Sequence, residues 1–264
     1  MLIWCSYCQQ FLGEEPPYEQ FTITHGVCRA CEAGALTLTE SDVEQALRLR
    51  GIQEQLAEAG RHGDLRAAEQ IIEDAGTHNV GGADILLGVI APMLYQIGED
   101  WRRGIVTVAQ EHRFTALCEA VYKLVAAKLV SRMAAGAAQA EPGAVLLMNA
   151  PGNCHTLAVR ILALWLARQG VPARVVDGSP DIEDLIVLVG RIQPAIVLLS
   201  IALAEQADGV IAIAARIGAL PERVRPKVLV GGYAVKLGLV SAIPGASLMA
   251  DISSLAGFAG AKIG

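Results

Sequence analysis

The sequence predicts an α/β protein with an all-α part: a four-helix bundle, then a doubly wound, five-stranded parallel sheet, with a small cysteine-rich segment in front. Three observations carry this. Apolar residues keep a mostly helical spacing from about residue 41 to Met133. Beyond an Ala-rich stretch, short apolar runs alternate with helical patterns. Four of the six cysteines form two Cys-x2-Cys pairs near the N-terminus.

Residues 1–34 are short and turn-rich, too small to bury much core without a staple. The spacing Cys5-x2-Cys8-x19-Cys28-x2-Cys31 suits tetrahedral zinc held by four thiolates. The start MLIWCSYC has neither a basic n-region nor a cleavage site, so a cytoplasmic location is expected, and metal rather than disulfides. The stretch WCSYCQQF…THGVCRAC resembles small zinc ribbons attached to bacterial sensor and signalling proteins, which sets a first domain at residues 1–36. Glu14, Glu15, Glu19 and Glu32 face Arg29 alone in charge count. That balance disfavours phosphate contacts and favours a structural or protein-contact role. His25, close to Cys28, is a minor alternative ligand.

Four helices are expected near 41–60, 64–76, 82–99 and 107–133. Ser41-Asp42-Val43-Glu44 and Thr107-Val108-Ala109-Gln110 read as capping boxes,. Glycine-containing breaks separate the helices. The pattern is that of a four-helix bundle over 41–133. AAGAAQAEPG, residues 134–143, reads as a linker,.

The strands are expected in AVLLMNA (144–150), ARVVD (173–177), AIVLLS (195–200), KVLVGG (227–232) and ASLMAD (246–251). Helical segments begin near His155, Asp181, Leu203 and Tyr233. Such units give a parallel sheet covered on both faces, and AIVLLS lacks alternation as a doubly buried strand should. A flavodoxin/Rossmann-like domain over 143–264 follows. The chain is 53% hydrophobic with a net charge of -6, a poor match for non-specific nucleic-acid binding. No apolar stretch is long enough to span a membrane.

In LLMNAPGNCHTLAVRIL, residues 146–162, an imidazole stands at the corner between the first strand and its helix. Ligands bind such sheets beyond the carboxyl ends of the strands, at the switch point in strand order. His155 follows the first strand, Ser200 ends the third, and Gly231-Gly232 end the fourth. Adjacent glycines there let a bulky ligand approach the backbone. Neither G-x-G-x-x-G nor G-x-x-x-x-G-K-[ST] is present, which weakens nucleotide readings. Position alone leaves two roles open for His155: a metal ligand, or a cap on its helix.

Asn153-Cys154-His155-Thr156-Leu157-Ala158, then Ser200-Ile201-Ala202, then Gly231-Gly232 resemble the cobalamin-binding domain family. That family carries D-x-H-x-x-G, S-x-L and G-G on the same elements. The resemblance implies that His155 replaces the nucleotide base as lower cobalt ligand. It further implies cofactor contacts from Gly152, Asn153, Cys154 and Thr156, from Ser200, Ile201, Ala202 and Leu203, and from Gly231, Gly232 and Tyr233. The nucleotide tail would lie between the first and third strands. Asn153, Ala158 and Ala202 depart from the family's Asp, Gly and Leu. Asn153 can orient His155 by hydrogen bonding without supplying a carboxylate's charge.

In the stretch PMLYQIGEDWRRGIVTVAQEH, residues 92–112, nine residues separate Trp101 from Glu111-His112. Read alone, these are a core or helix-end tryptophan and an exposed acid–base pair. The segment resembles the W-x9-E-H cap of cobalamin-dependent photoreceptor regulators, and that resemblance spans about residues 45–255. It implies that Trp101, Glu111 and His112 cover the upper corrin face, with His112 an alternative upper cobalt ligand. Members that form a bis-histidine adduct in light have a histidine directly after the tryptophan. Arg102 stands there in this chain and closes that route.

Two function classes follow. The resemblance implies a non-enzymatic sensor: cobalamin, clamped between bundle and sheet, changes its upper ligand on illumination or redox change and alters a partner surface. The native form, adenosyl-, methyl- or hydroxocobalamin, is left open, as is a homo-oligomer. Residues 40–75 hold nine acids against four arginines, which suits a protein partner better than direct DNA binding. The alternative is a corrinoid methyl carrier of a methyltransferase system. Zinc is the second expected cofactor.

Overall fold

The structure is a computed structural model describing residues 1–33, 40–78, 80–133, 144–178 and 180–251. The expected linker at 134–143 and the Ser41 side chain of the first expected capping box lie outside the described residues. The chain divides into two compact units, Met1–Ala135 and Gly136–Gly264.

In the first unit, β1 (Leu2–Cys5), β2 (Phe11–Glu14) and β3 (Ile23–Gly26) form a small sheet in the order β2-β1-β3. β1 runs antiparallel to β2 and parallel to β3. The short helix α1 (Arg29–Glu32) follows. The longer helices are α2 (Glu40–His62), α3 (Leu65–Thr77) and α6 (Val108–Met133). Between α3 and α6 runs a helix with three segments: α4 (Gly82–Ile85), a π-helical turn (Leu86–Ile90) and α5 (Ala91–Arg102). The expected third helix is thus interrupted by a π turn.

Helix starts follow local chemistry. Asp64 accepts from Ala67 N–H at 3.0 Å to cap α3,. Gln110 Oε1 accepts from Thr107 N–H at 2.8 Å, and Thr107 Oγ1 accepts from Gln110 N–H at 3.3 Å, the reciprocal pair expected of a capping box,. Close approach depends on small residues. A Cβ on Gly60 would stand 2.4 Å from the Phe114 ring, so α2 and α6 meet there without a side chain between them.

The small sheet packs on the helices. Trp4 and Phe11 are buried, with rings edge-to-face at 5.5 Å. A Cβ on Gly88 would lie 2.4 Å from Trp4 and 2.5 Å from Phe11, so the ribbon's two aromatics sit against the π turn. Phe11 N–H donates to the buried Asp84 carboxylate at 3.3 Å, and Gln53 Nε2 donates to Phe21 C=O at 2.9 Å. Burying the two aromatic side chains stabilises the unit by about 1.5–3 kcal/mol each.

In the second unit, the strands are β4 (Val145–Asn149), β5 (Ala173–Val175), β6 (Ile196–Ser200), β7 (Lys227–Gly231) and β8 (Ser247–Met249). They form one parallel sheet in the order β5-β4-β6-β7-β8. The helices are α7 (Thr156–Arg168), α8 (Ile182–Ile192), α9 (Ala207–Gly218) and α10 (Tyr233–Lys236). Leu146, Met148, Val197, Leu199, Val228 and Val230 face α8 and α9, packing on Leu185, Val189, Val210 and Ile213. Strand alternation sends Leu147, Asn149, Leu198, Ser200, Leu229 and Gly231 to the opposite face. This is the predicted fold, with the first strand beside the third. Among the described residues, no helix is long and apolar enough to cross a membrane.

Candidate functional site

The strand order reverses between β4 and β6, so the loops leaving their carboxyl ends diverge and open a crevice. β4 ends at Asn149, paired with Ser200, and Ser200 pairs with Gly231. The chain then turns sharply. Asn153 N–H donates to Ala150 C=O at 3.0 Å, with Pro151 and Gly152 (φ +81°) between. Proline followed by a positive-φ glycine is the type II turn composition.

Asn153 is buried, and both its amide atoms have partners. Its Nδ2 donates to Ser200 C=O at 3.1 Å, and its Oδ1 accepts from His155 N–H at 3.1 Å. The side chain therefore ties the loop to β6 and fixes the backbone of His155, rather than its ring. His155 occupies the N-cap position of α7, but its side chain makes no capping bond. The imidazole is exposed, next to the exposed Cys154. Thr156 opens the helix.

The loop after β6 is held by a group that the motifs do not single out. Gln206 is buried, and its Oε1 accepts from Ala202 N–H at 2.9 Å and Leu203 N–H at 3.1 Å. That amide shapes the turn after β6 and leaves Leu203 exposed. Gly232 has φ +112°, and a Cβ there would meet Ile201 O at 2.5 Å. Glycine is required at this point by the chain's own backbone, a cause separate from ligand access. At Gly231 a Cβ would meet Met249 O at 3.2 Å. Tyr233 opens α10. The structure thus brings the expected residues after β4, β6 and β7 to one edge of the sheet. An exposed imidazole on a rigid backbone there is a suitable donor for a metal carried by a large ligand.

In the helical unit, Trp101 lies in the last turn of α5 and is 51% exposed, with Ile105 and Val108 also exposed in the corner that leads into α6. Glu111 stands in the first turn of α6 and accepts from Thr115 Oγ1 at 2.8 Å. His112 Nε2 lies 3.5 Å from Glu111 Oε2; the Glu111 side chain is 16% exposed and that of His112 is 74% exposed. Only the histidine of the pair is largely exposed. Arg102 is turned to Glu99, with contacts at 2.8 and 3.0 Å. That guanidinium holds the Glu99 carboxyl below the usual carboxylate range.

The four cysteines converge. Cys5 ends β1, Cys8 follows in the turn, and Cys28 and Cys31 flank and enter α1. Their sulfurs all lie within 4.8 Å of one another, with Cys8 and Cys28 at 3.7 Å. A tetrahedral zinc with Zn–S near 2.3 Å needs sulfurs about 3.8 Å apart, so the donor set fits. Burial opposes a thiolate at Cys5, yet backbone N–H groups from Cys8, Cys28 and Tyr7 bring its pKa down to about 6. Burial first, then the neighbouring sulfurs, push Cys8 up to about 12. A divalent cation removes that mutual opposition. His25 is outside the cluster; its Nε2 is buried without a hydrogen-bond partner. Cys118 is buried core, as expected.

Residues 52–125 match the family described as the B12 binding domain. No curated protein matches the chain. Among solved structures, the monomethylamine corrinoid protein of Methanosarcina barkeri is similar at TM-score 0.65 and 13% identity, covering 81% of this chain and 99% of that one. The methanol:cobalamin methyltransferase complex of the same organism gives TM-score 0.40 at 14% identity, covering 90% and 89%. A cobalamin-binding protein of Desulfitobacterium hafniense gives 0.41 at 16%, covering 80% and 98%. The likeness to the first is one of fold. The B12 binding domain match begins in α2 and ends in α6, so it describes the helices of the first unit.

Proposed function

We propose that the protein binds cobalamin through His155 as lower cobalt ligand and acts as a corrinoid carrier for a methyltransferase partner. The observation that carries the binding claim is the pairing, in one chain, of the B12 binding domain match over 52–125 with a switch-point sheet edge presenting His155. Bound cobalamin would supply an exchangeable cobalt–carbon bond. The chain's own part is to present an imidazole, hold its backbone through Asn153, and line the approach with Ser200–Leu203 and Gly231–Tyr233. Trp101, Glu111 and His112 are assigned to the upper corrin face. Residues 1–36, 41–133 and 143–264 are the corresponding working parts: ribbon, cap and cofactor domain. The fold likeness to a corrinoid protein favours the carrier.

A sensor is the second reading, favoured by the W-x9-E-H spacing of Trp101, Glu111 and His112. Cys5, Cys8, Cys28 and Cys31 are assigned a structural zinc ion. Reconstitution with methylcobalamin separates the readings. A carrier passes its methyl group to a thiol or to a methyltransferase in the dark and keeps its oligomeric state under light. A sensor changes spectrum and assembly on illumination. Wild type that binds neither methyl- nor hydroxocobalamin contradicts both.

A further inference from the structure

Asn149 closes β4 and is 3% exposed, yet its Oδ1 is buried without a hydrogen-bond partner. Buried polar atoms are nearly always paired, and one left alone is costly. Asn149 pairs in register with Ser200, and Ser200 with Gly231. Two residues back along each strand stand Leu147, Leu198 and Leu229, all buried. Register partners in a parallel sheet point to the same face. The face therefore has an apolar floor that ends, at the switch point, in a row of two polar side chains and a glycine. It lies opposite the core beneath α8 and α9. A leucine of similar volume would suit such a floor; an amide suits it only if a donor arrives from outside the chain.

We propose that Asn149 is a specificity residue whose Oδ1 accepts a hydrogen bond from an N–H or O–H donor on the nucleotide tail of the corrinoid. This inference rests on the cobalamin reading above. In cobalamin the donor is a ribose hydroxyl, since its dimethylbenzimidazole base carries no N–H or O–H group. Asn153, four residues on, already has a partner at each of its amide atoms, in contrast with Asn149 Oδ1.

The test compares cobalamin with cobinamide, which lacks the nucleotide tail, on the full chain. Wild type should bind cobalamin more tightly. Asn149→Leu should weaken cobalamin by about tenfold and leave cobinamide unchanged. Asn149→Val carries the same criterion if the leucine variant does not fold. A corrinoid with an adenine base checks the ribose assignment: it should lose as much as cobalamin, and a loss confined to the adenine corrinoid overturns the inference. An unchanged cobalamin-to-cobinamide ratio in a folded variant overturns the inference, as does wild type that binds the two equally. Wild type that binds neither overturns the cobalamin reading itself.

Discussion

The chain has two places suited to a metal, and they are built in opposite ways. At the N-terminus four sulfurs close on one point within 4.8 Å. At the edge of the sheet a single exposed imidazole stands on a fixed backbone. A closed four-thiolate site binds its ion alone and contributes to folding. An open position awaits a ligand that brings its own metal and most of its own coordination. The difference teaches that a closed donor set and an open donor stand on different units of the chain.

The largest effect should come from breaking the closed site. Chelation of zinc, or Cys5→Ser, should unfold the ribbon and expose Trp4 and Phe11, costing the first unit about 3–5 kcal/mol. Calorimetry should show that unit's transition falling while the sheet's transition stays. Metal analysis should find one zinc per chain in wild type and none in the variant. Equal stability with and without zinc would erase the contrast.

Next in size is the backbone contact beside the open site. Gly232→Ala puts a Cβ 2.5 Å from Ile201 O at φ +112°, and should cost about 2–3 kcal/mol in denaturant unfolding. Asn153 is the third. Asn153→Ala removes bonds to Ser200 C=O and His155 N–H, a loss of about 1–3 kcal/mol. Asn153→Asp, the residue the resembled family carries, should also destabilise, because it turns an oxygen toward the Ser200 carbonyl where an N–H₂ now donates. Gain of stability in Asn153→Asp would show that the loop rearranges. The smallest stability change belongs to His155→Ala. The ring is exposed and caps nothing, so unfolding should be nearly unchanged, in contrast with Cys5→Ser.

What could be read from the sequence follows the range of the forces involved. Strand–helix alternation and the Thr107–Gln110 capping box are local patterns, and the structure has both. The cysteine spacing is local as well, and the sulfurs converge. The π turn at Leu86–Ile90 lies in the continuous apolar run LLGVI, where periodicity is silent. The room that Gly88 leaves is taken by Trp4 and Phe11, more than seventy residues away in sequence. Asn149 sits in an apolar strand run, and only burial together with hydrogen-bond accounting marks its Oδ1. The sequence alone suggests room for a ligand at Gly232, while the atom nearest an added Cβ is the chain's own Ile201 O. The sequence suggests a hydrogen bond from Asn153 to His155 without saying which atom takes it; the structure has it at the His155 N–H.

The central claim is that His155 ligates cobalt from below, and electron paramagnetic resonance of the protein loaded with cob(II)alamin tests it most directly. Protein grown with nitrogen-15 histidine should change the nitrogen splitting from a triplet pattern to a doublet pattern. The change should vanish in His155→Ala. A triplet that persists in the labelled wild type would mean that the cofactor keeps its own base as lower ligand, and would contradict the account.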